Sequence, residues 1–279
     1  MCWYFSKSSR RDTIIVNCQL SIVNSAKPLN NNLPLSSFCR LTNYLGGFTM
    51  KLRKNPAVLP CLALLLGLVA LGLRLALYRV GVDEKGLLTP GSPLEIGVWI
   101  VTAGAAAVAL AAGKEPPERR NTRLEALGEL LAAAGILLAL PEGIRSLSNI
   151  LEAIRLALAM IAWAALGSGA VQRLRHREES VLCNGMPCLF FALNAVCCYR
   201  GWVSHPQLQD YLFPLTGALA MMIFAYLRCV PEKYRIRRAV GLLGGFLCLA
   251  AAAKAGYWPM YLGCGLWMLS NADAPGEPL

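Results

Sequence analysis

The chain has 279 residues, of which 56% are hydrophobic and only 15% charged, and its mean hydropathy is +0.48. That is more apolar and less charged than soluble domains are, which excludes an ordinary water-soluble enzyme. Lysine and arginine outnumber aspartate and glutamate by 27 to 16, a net charge of +11, so the placement of the excess decides whether it signals nucleic acid, lipid or topology.

Residues 1–49 are rich in Ser and Asn and show no sustained helical or strand period. Their apolar patch at 13–16 is too short for a span or a signal sequence, so no targeting role is expected. Met50 opens Met-Lys-Leu-Arg-Lys-Asn, a basic cluster directly before the first long apolar run, which is how an inner-membrane protein usually starts. The expectation is that translation begins at Met50. Residues 1–49 would then be a disordered leader or a mis-assigned start, residues 50–272 a helical transmembrane domain, and residues 273–279 a short tail.

Eight apolar runs follow, at 57–78, 94–112, 124–140, 150–171, 186–202, 211–227, 239–255 and 257–270. A membrane-spanning helix needs about 20 apolar residues, with about 17 the lower limit. The first seven runs qualify. The last, with 14, either crosses or re-enters. The runs are successive, Leu/Ala-rich and threaded with Gly, which predicts an all-α polytopic membrane protein of seven or eight transmembrane helices joined by short loops.

Cytoplasmic loops carry the Lys/Arg excess. Alternate connections hold Lys51, Arg53, Lys54, then Lys114, Arg119, Arg120, Arg123, then Arg173, Arg175, Arg177, then Arg228, Lys233, Arg235, Arg237, Arg238. The intervening segments hold only Arg74, Arg79, Lys85, Arg145, Arg155, Arg200 and Lys254. The N-terminus is therefore expected in the cytoplasm and the protein in the inner, cytoplasmic membrane. Basic residues spread over four edges suit anionic headgroups and topology, so the bilayer is the expected partner and nucleic acid is not. Tyr78, Tyr199, Trp202, Tyr211, Tyr257 and Trp258 fall at the predicted outer boundary, where amphipathic rings prefer the interface.

Ionisable groups inside spans are functional candidates by default, once capping roles are subtracted. Ser92-Pro93-Leu94-Glu95 has the form of a capping box, Thr122-Arg123-Leu124-Glu125 repeats it, and Asn149-Ile150-Leu151-Glu152 imitates it. Glu129, about 10 Å into the third span, and Arg155, similarly far into the fourth from its other end, have no such role. Arg155 is one turn from Glu152 and can pair with it or snorkel, and Arg74 and Lys254, near outer ends, are expected to snorkel. If helices one, two, four and seven are neighbours, Arg74, Glu95, Glu152, Arg155 and Lys254 converge in an outward-facing polar cavity, with Glu129 as a separate embedded acid. Asn194 reads as interhelical glue, and Gly241-x-x-x-Gly245 as a packing stripe.

Catalytic signals are weak. Of the 11 cysteines, Cys2, Cys18 and Cys39 lie in the leader and most others in spans, where Cys acts as a small hydrophobe. With only His176 and His205 and no zinc-ribbon spacing, neither a metal nor a cofactor is expected. Gly167-Ser168-Gly169 resembles the serine setting of intramembrane serine proteases, which also need a His on a facing helix, and no span holds one. No nucleophile, base and metal coincide, so no enzyme is expected.

The segment from Tyr78 to Glu95, Tyr-Arg-Val-Gly-Val-Asp-Glu-Lys-Gly-Leu-Leu-Thr-Pro-Gly-Ser-Pro-Leu-Glu, resembles an outer loop of a family of uncharacterised bacterial multi-pass membrane proteins. The resemblance covers 18 residues and implies a multi-pass bacterial membrane protein, with no activity to carry over. Two functions fit the whole pattern. The leading expectation is a non-catalytic membrane subunit that meets a protein partner, or itself, through small-residue helix faces. The alternative is a small-solute carrier or permease, suggested by Pro/Gly-interrupted spans at Phe213-Pro214-Leu215-Thr216-Gly217 and Tyr257-Trp258-Pro259.

Overall fold

Eight helices follow one another in a computed structural model that describes residues 58–81, 92–112, 122–145, 147, 149–175, 180–204, 208–230, 234–253 and 257–272. They are α1 (Val58–Val80), α2 (Pro93–Ala112), α3 (Thr122–Arg145), α4 (Ile150–Leu174), α5 (Val181–Ser204), α6 (Leu208–Arg228), α7 (Tyr234–Ala251) and α8 (Trp258–Ser270). No strand occurs among the described residues, and the described helices belong to one compact unit. The protein is all-α. The expected leader and Met50 start fall outside the described residues.

Helices α1 to α6 are long and apolar enough to cross a membrane. Their outward side chains include Leu65, Ile100, Leu110, Leu138 and Ile150. So much exposed apolar surface would be a liability in water, whereas lipid solvates it. The chain is a multi-pass membrane protein on this ground. The last two helices differ. α7 begins with Arg235, Arg237 and Arg238, and α8 has 13 residues, about 20 Å of helix against about 30 Å of hydrocarbon.

That short helix is the centre of the bundle. α8 lies against α3 and α7 and also touches α1 and α6, and Met260, Tyr261, Cys264, Trp267 and Met268 are all buried. Glycines let its backbone touch two neighbours. A Cβ at Gly135 of α3 would strike the Pro259 carbonyl, and one at Gly263 the Leu131 carbonyl. Gly245 of α7 and Gly265 face each other in the same way, a Cβ on either lying 3.0–3.1 Å from the other's carbonyl oxygen. The Gly241-x-x-x-Gly245 stripe is therefore a packing surface, as expected for small residues between membrane helices. Above the glycines, the Trp267 ring meets Phe224 of α6 edge-on at 5.1 Å and Phe191 of α5 at 6.2 Å.

α8 runs antiparallel to α3, with Tyr257 beside Gly143, Pro259 beside Gly135 and Ser270 beside Gly128. Over the described residues it passes from one level to the other without turning back. Of the two expected proline breaks, Pro214 lies inside a continuous α6, where Thr216 Oγ1 donates to the Leu212 carbonyl at 2.7 Å. Pro259 sits in the first turn of α8, where its missing N–H costs nothing.

Helix ends depart from the hydropathy runs by up to five residues. α3 continues through Pro141 to Arg145, α4 reaches Leu174, α5 begins at Val181, and α7 is shifted toward its arginines. Hydropathy ends a run at a charge or a proline, whereas a helix ends where backbone hydrogen bonding does. The Ser92 cap forms as expected, its Oγ accepting from the Glu95 amide at 3.2 Å. At α4 the Asn149 side chain makes no cap, and its carbonyl instead accepts from the Glu152 amide at 3.0 Å.

Candidate functional site

Polar groups gather at both ends of α8. Where α3 and α7 begin and α4 and α6 finish, the bundle has a basic end carrying Arg123, Arg173, Arg175, Arg228, Arg235, Arg237 and Arg238. There Arg173 of α4 is ion-paired with Glu125 of α3, and its Nε lies 3.2 Å from Glu129 Oε1. The Arg228 guanidinium from α6 lies 2.6 Å from the same Glu129 oxygen and 5.6 Å from the Trp267 ring centre. All four charged side chains are buried.

Asn271, immediately after α8, completes the cluster. Its Oδ1 accepts from Arg228 at 3.2 Å and Arg173 at 3.4 Å, and its Nδ2 donates to the Glu125 and Trp267 carbonyls at 3.1 Å each. Two carboxylates and two guanidiniums cancel in charge, and the amide fills remaining donors and acceptors, the condition under which buried ion pairs are tolerated. The cluster fastens the end of α8 to three long helices. Sequence reading assigned Glu125 to a cap, left Glu129 alone, and placed Arg173 and Arg228 in loops. The missed signal is helical register, since the last turns of α4 and α6 stand level with the first turns of α3.

At the opposite end the chain opens. Asn149, Leu151, Glu152, Cys197, Arg200, Gly201 and Tyr211 line an open vestibule of about 280 Å3. Glu152 also lines a narrow crevice of about 20 Å3, water-sized, which continues between α3, α4, α5 and α8 along Leu140, Arg155, Leu156, Phe190 and Asn194 to Met260. The Arg155 guanidinium hydrogen-bonds Tyr257 Oη, lies 4.5 Å from the centre of that ring, and reaches the Cys197 thiol. No Glu152–Arg155 pair forms. Glu152 Oε2 is buried with no hydrogen-bond partner among the described residues. Deeper in the bundle, Asn194 donates to Tyr261 Oη at 3.4 Å, and that hydroxyl donates to the Pro214 carbonyl at 3.0 Å. Asn194 is thus interhelical glue, between α5 and α8.

The five residues expected in one cavity are distributed otherwise. α4 packs on α3 and α5, while α1 and α2 pack on α7, so the four-helix neighbourhood that the convergence required does not form. Glu152 and Arg155 share the crevice. Arg74 is elsewhere, and the expectation that it snorkels is corrected: it is 1% exposed, donates to the Ala250 carbonyl at 2.5 Å and to Tyr78, and lies 4.5 Å from the Phe213 ring centre. It caps α7, whose last carbonyls have no intrahelical donor and carry the negative end of the helix dipole. Glu95 stays in the first turn of α2, and Lys254 lies outside the described residues.

Ser168 donates to the Ala165 carbonyl of its own helix at 2.9 Å, while His176 and His205 lie outside the described residues. Among the described residues no three His, Cys, Asp or Glu side chains are grouped to hold a metal, and the cysteines are free thiols. Comparison with protein-family models, curated proteins and solved structures finds no match to this chain. Most of the loop that carries the bacterial-family resemblance, at 82–91, lies outside the described residues.

Proposed function

We propose that this integral membrane protein is a small-solute carrier, loaded from the end opposite the basic end. One observation carries the reading: the polar vestibule narrows past Glu152 and Arg155 into a crevice beside a short, buried helix. Ligand sites at membrane depth are characteristically built where a helix is short or interrupted and polar groups converge. The positive-inside rule applied to the arginine cluster supports a cytoplasmic basic end, and on this reading the vestibule faces outward across a bacterial inner membrane. The ion pairs among Glu125, Glu129, Arg173 and Arg228 then hold the inner end shut.

Proteoliposomes containing the full chain, offered radiolabelled pools of amino acids, carboxylates, amines, sugars and nucleosides, test this. At least one pool is expected to accumulate above protein-free liposomes, and Arg155→Gln to abolish the excess. If every pool stays at background, the carrier reading is wrong. A second reading, the non-catalytic subunit, is favoured by Gly72, Gly104, Gly167 and Gly185, where an added Cβ would meet nothing within 4 Å. Such bare patches accept a close helix from another chain. Crosslinking in native membranes that recovers a stoichiometric partner, together with background uptake, decides for it.

A further inference from the structure

Sulfur side chains collect inside the bundle on its short central helix. Met260, Cys264 and Met268 recur at every fourth residue of α8, so they share one face, and all three are buried. From α7, Cys248 comes to the same place. Its Sγ lies 4.0 Å from Met268 Sδ, and its thiol interacts electrostatically with that of Cys264. A Cβ added to Gly265 would stand 3.3 Å from Cys248 Cβ, so the glycine contact between α7 and α8 is what lets the sulfurs approach. No third His, Cys, Asp or Glu stands with the two thiols among the described residues, which leaves the Met268 thioether as the third donor.

We propose that Cys248, Cys264 and Met268 form a binding site for a soft monovalent metal ion of the Cu(I) class. Spacing, donor type and charge set the class. A metal–sulfur bond of about 2.3 Å holds three sulfurs around an ion about 4 Å apart, which is the spacing of Cys248 and Met268. Thiolate with thioether suits Cu(I), whereas Zn(II) takes thiolate, imidazole or carboxylate and usually a fourth ligand. An ion of charge +1 that displaces one thiol proton to solvent forms a neutral pair with the thiolate, and an apolar core tolerates a neutral pair. The way in is open to an ion and to little else. The vestibule and crevice lead from the open end to Met260, one turn of α8 before Cys264, and the crevice's space of about 20 Å3 admits a water-sized body but no organic ligand. The site does not depend on the carrier reading, since it requires only that an ion reach α8.

The full chain in lipid nanodiscs, reduced and kept free of oxygen, is titrated with Cu(I) held by bicinchoninate, which competes for the ion and reports it by absorbance. One ion per chain is expected to leave the chelator, and X-ray absorption should show sulfur neighbours only, at about 2.3 Å. Met268→Leu keeps the core volume and removes the thioether, so it should fold and bind copper about tenfold or more weakly. Cys248→Ser should weaken binding likewise, and Cys183→Ser, on a thiol outside the cluster, should change nothing. Undiminished affinity in Met268→Leu and Cys248→Ser, or loss of binding in Cys183→Ser, identifies adventitious copper on scattered thiols and overturns the site. So does a parent chain that withdraws no copper. Should the variants fail to fold, the parent's spectrum decides, and nitrogen or oxygen neighbours overturn the assignment.

Discussion

Arg74 and Arg155 are both arginines within spans, and their surroundings give them different work. Arg74 is enclosed, one N–H on the last turn of α7 and its face on Phe213, so its charge completes a helix end. Its replacement by Leu leaves the Ala250 carbonyl without a buried donor and is expected to destabilise the protein by about 1–3 kcal/mol, read by thermal unfolding in detergent. Arg155 sits in an open crevice, so Arg155→Gln should abolish uptake while shifting thermal stability little. The basic-end cluster behaves in a third way. Glu129→Ala or Arg173→Ala strands a buried opposite charge and should cost about 3–5 kcal/mol, whereas a Glu129→Leu, Arg228→Leu double variant, which strands fewer charges, should recover part of the loss. Equal stability of the single and double variants with the parent would show that the pairs hold nothing together.

Among the helices, α8 shows what length alone conceals. Thirteen residues are marginal for a membrane span, yet this helix is packed on several sides and holds the bundle together, because glycines on both sides of each contact remove the side chains that would keep backbones apart. Adding a methyl group at Gly263 or Gly135 forces a facing backbone to move, so Gly263→Ala should destabilise by about 1–3 kcal/mol. Gly104→Ala, in open space, should be neutral within about 0.5 kcal/mol. Comparing the two thermal midpoints checks this directly. The existence and spacing of all eight helices were legible in the sequence because lipid demands long apolar runs, and the Ser92 cap because its chemistry is local. The sites were not. Which arginine meets which carboxylate depends on helix adjacency, and nothing in the spacing of Arg173, Arg228, Glu125 and Glu129 announces that α3, α4 and α6 meet at one level. The five-residue cavity required α4 beside α1, α2 and α7. Its Glu152–Arg155 half needed only one turn of α4, and those two residues do share a crevice.

The two ends of the described helix bundle differ. A neutralised, buried ion-pair cluster closes one end, and an open vestibule continuing into a crevice occupies the other, with α8 between them. On the proposed carrier reading this is one of two states, and passage to the other would have to break the Arg173 and Arg228 pairs with Glu129. The arrangement predicts sidedness, which can be measured in intact cells expressing the full chain. A membrane-impermeant maleimide should modify Cys197 from outside, at a rate unchanged when the cells are opened. Modification of Cys197 only after the cells are opened, or only in inverted vesicles, would contradict an outward-facing vestibule and the carrier built on it.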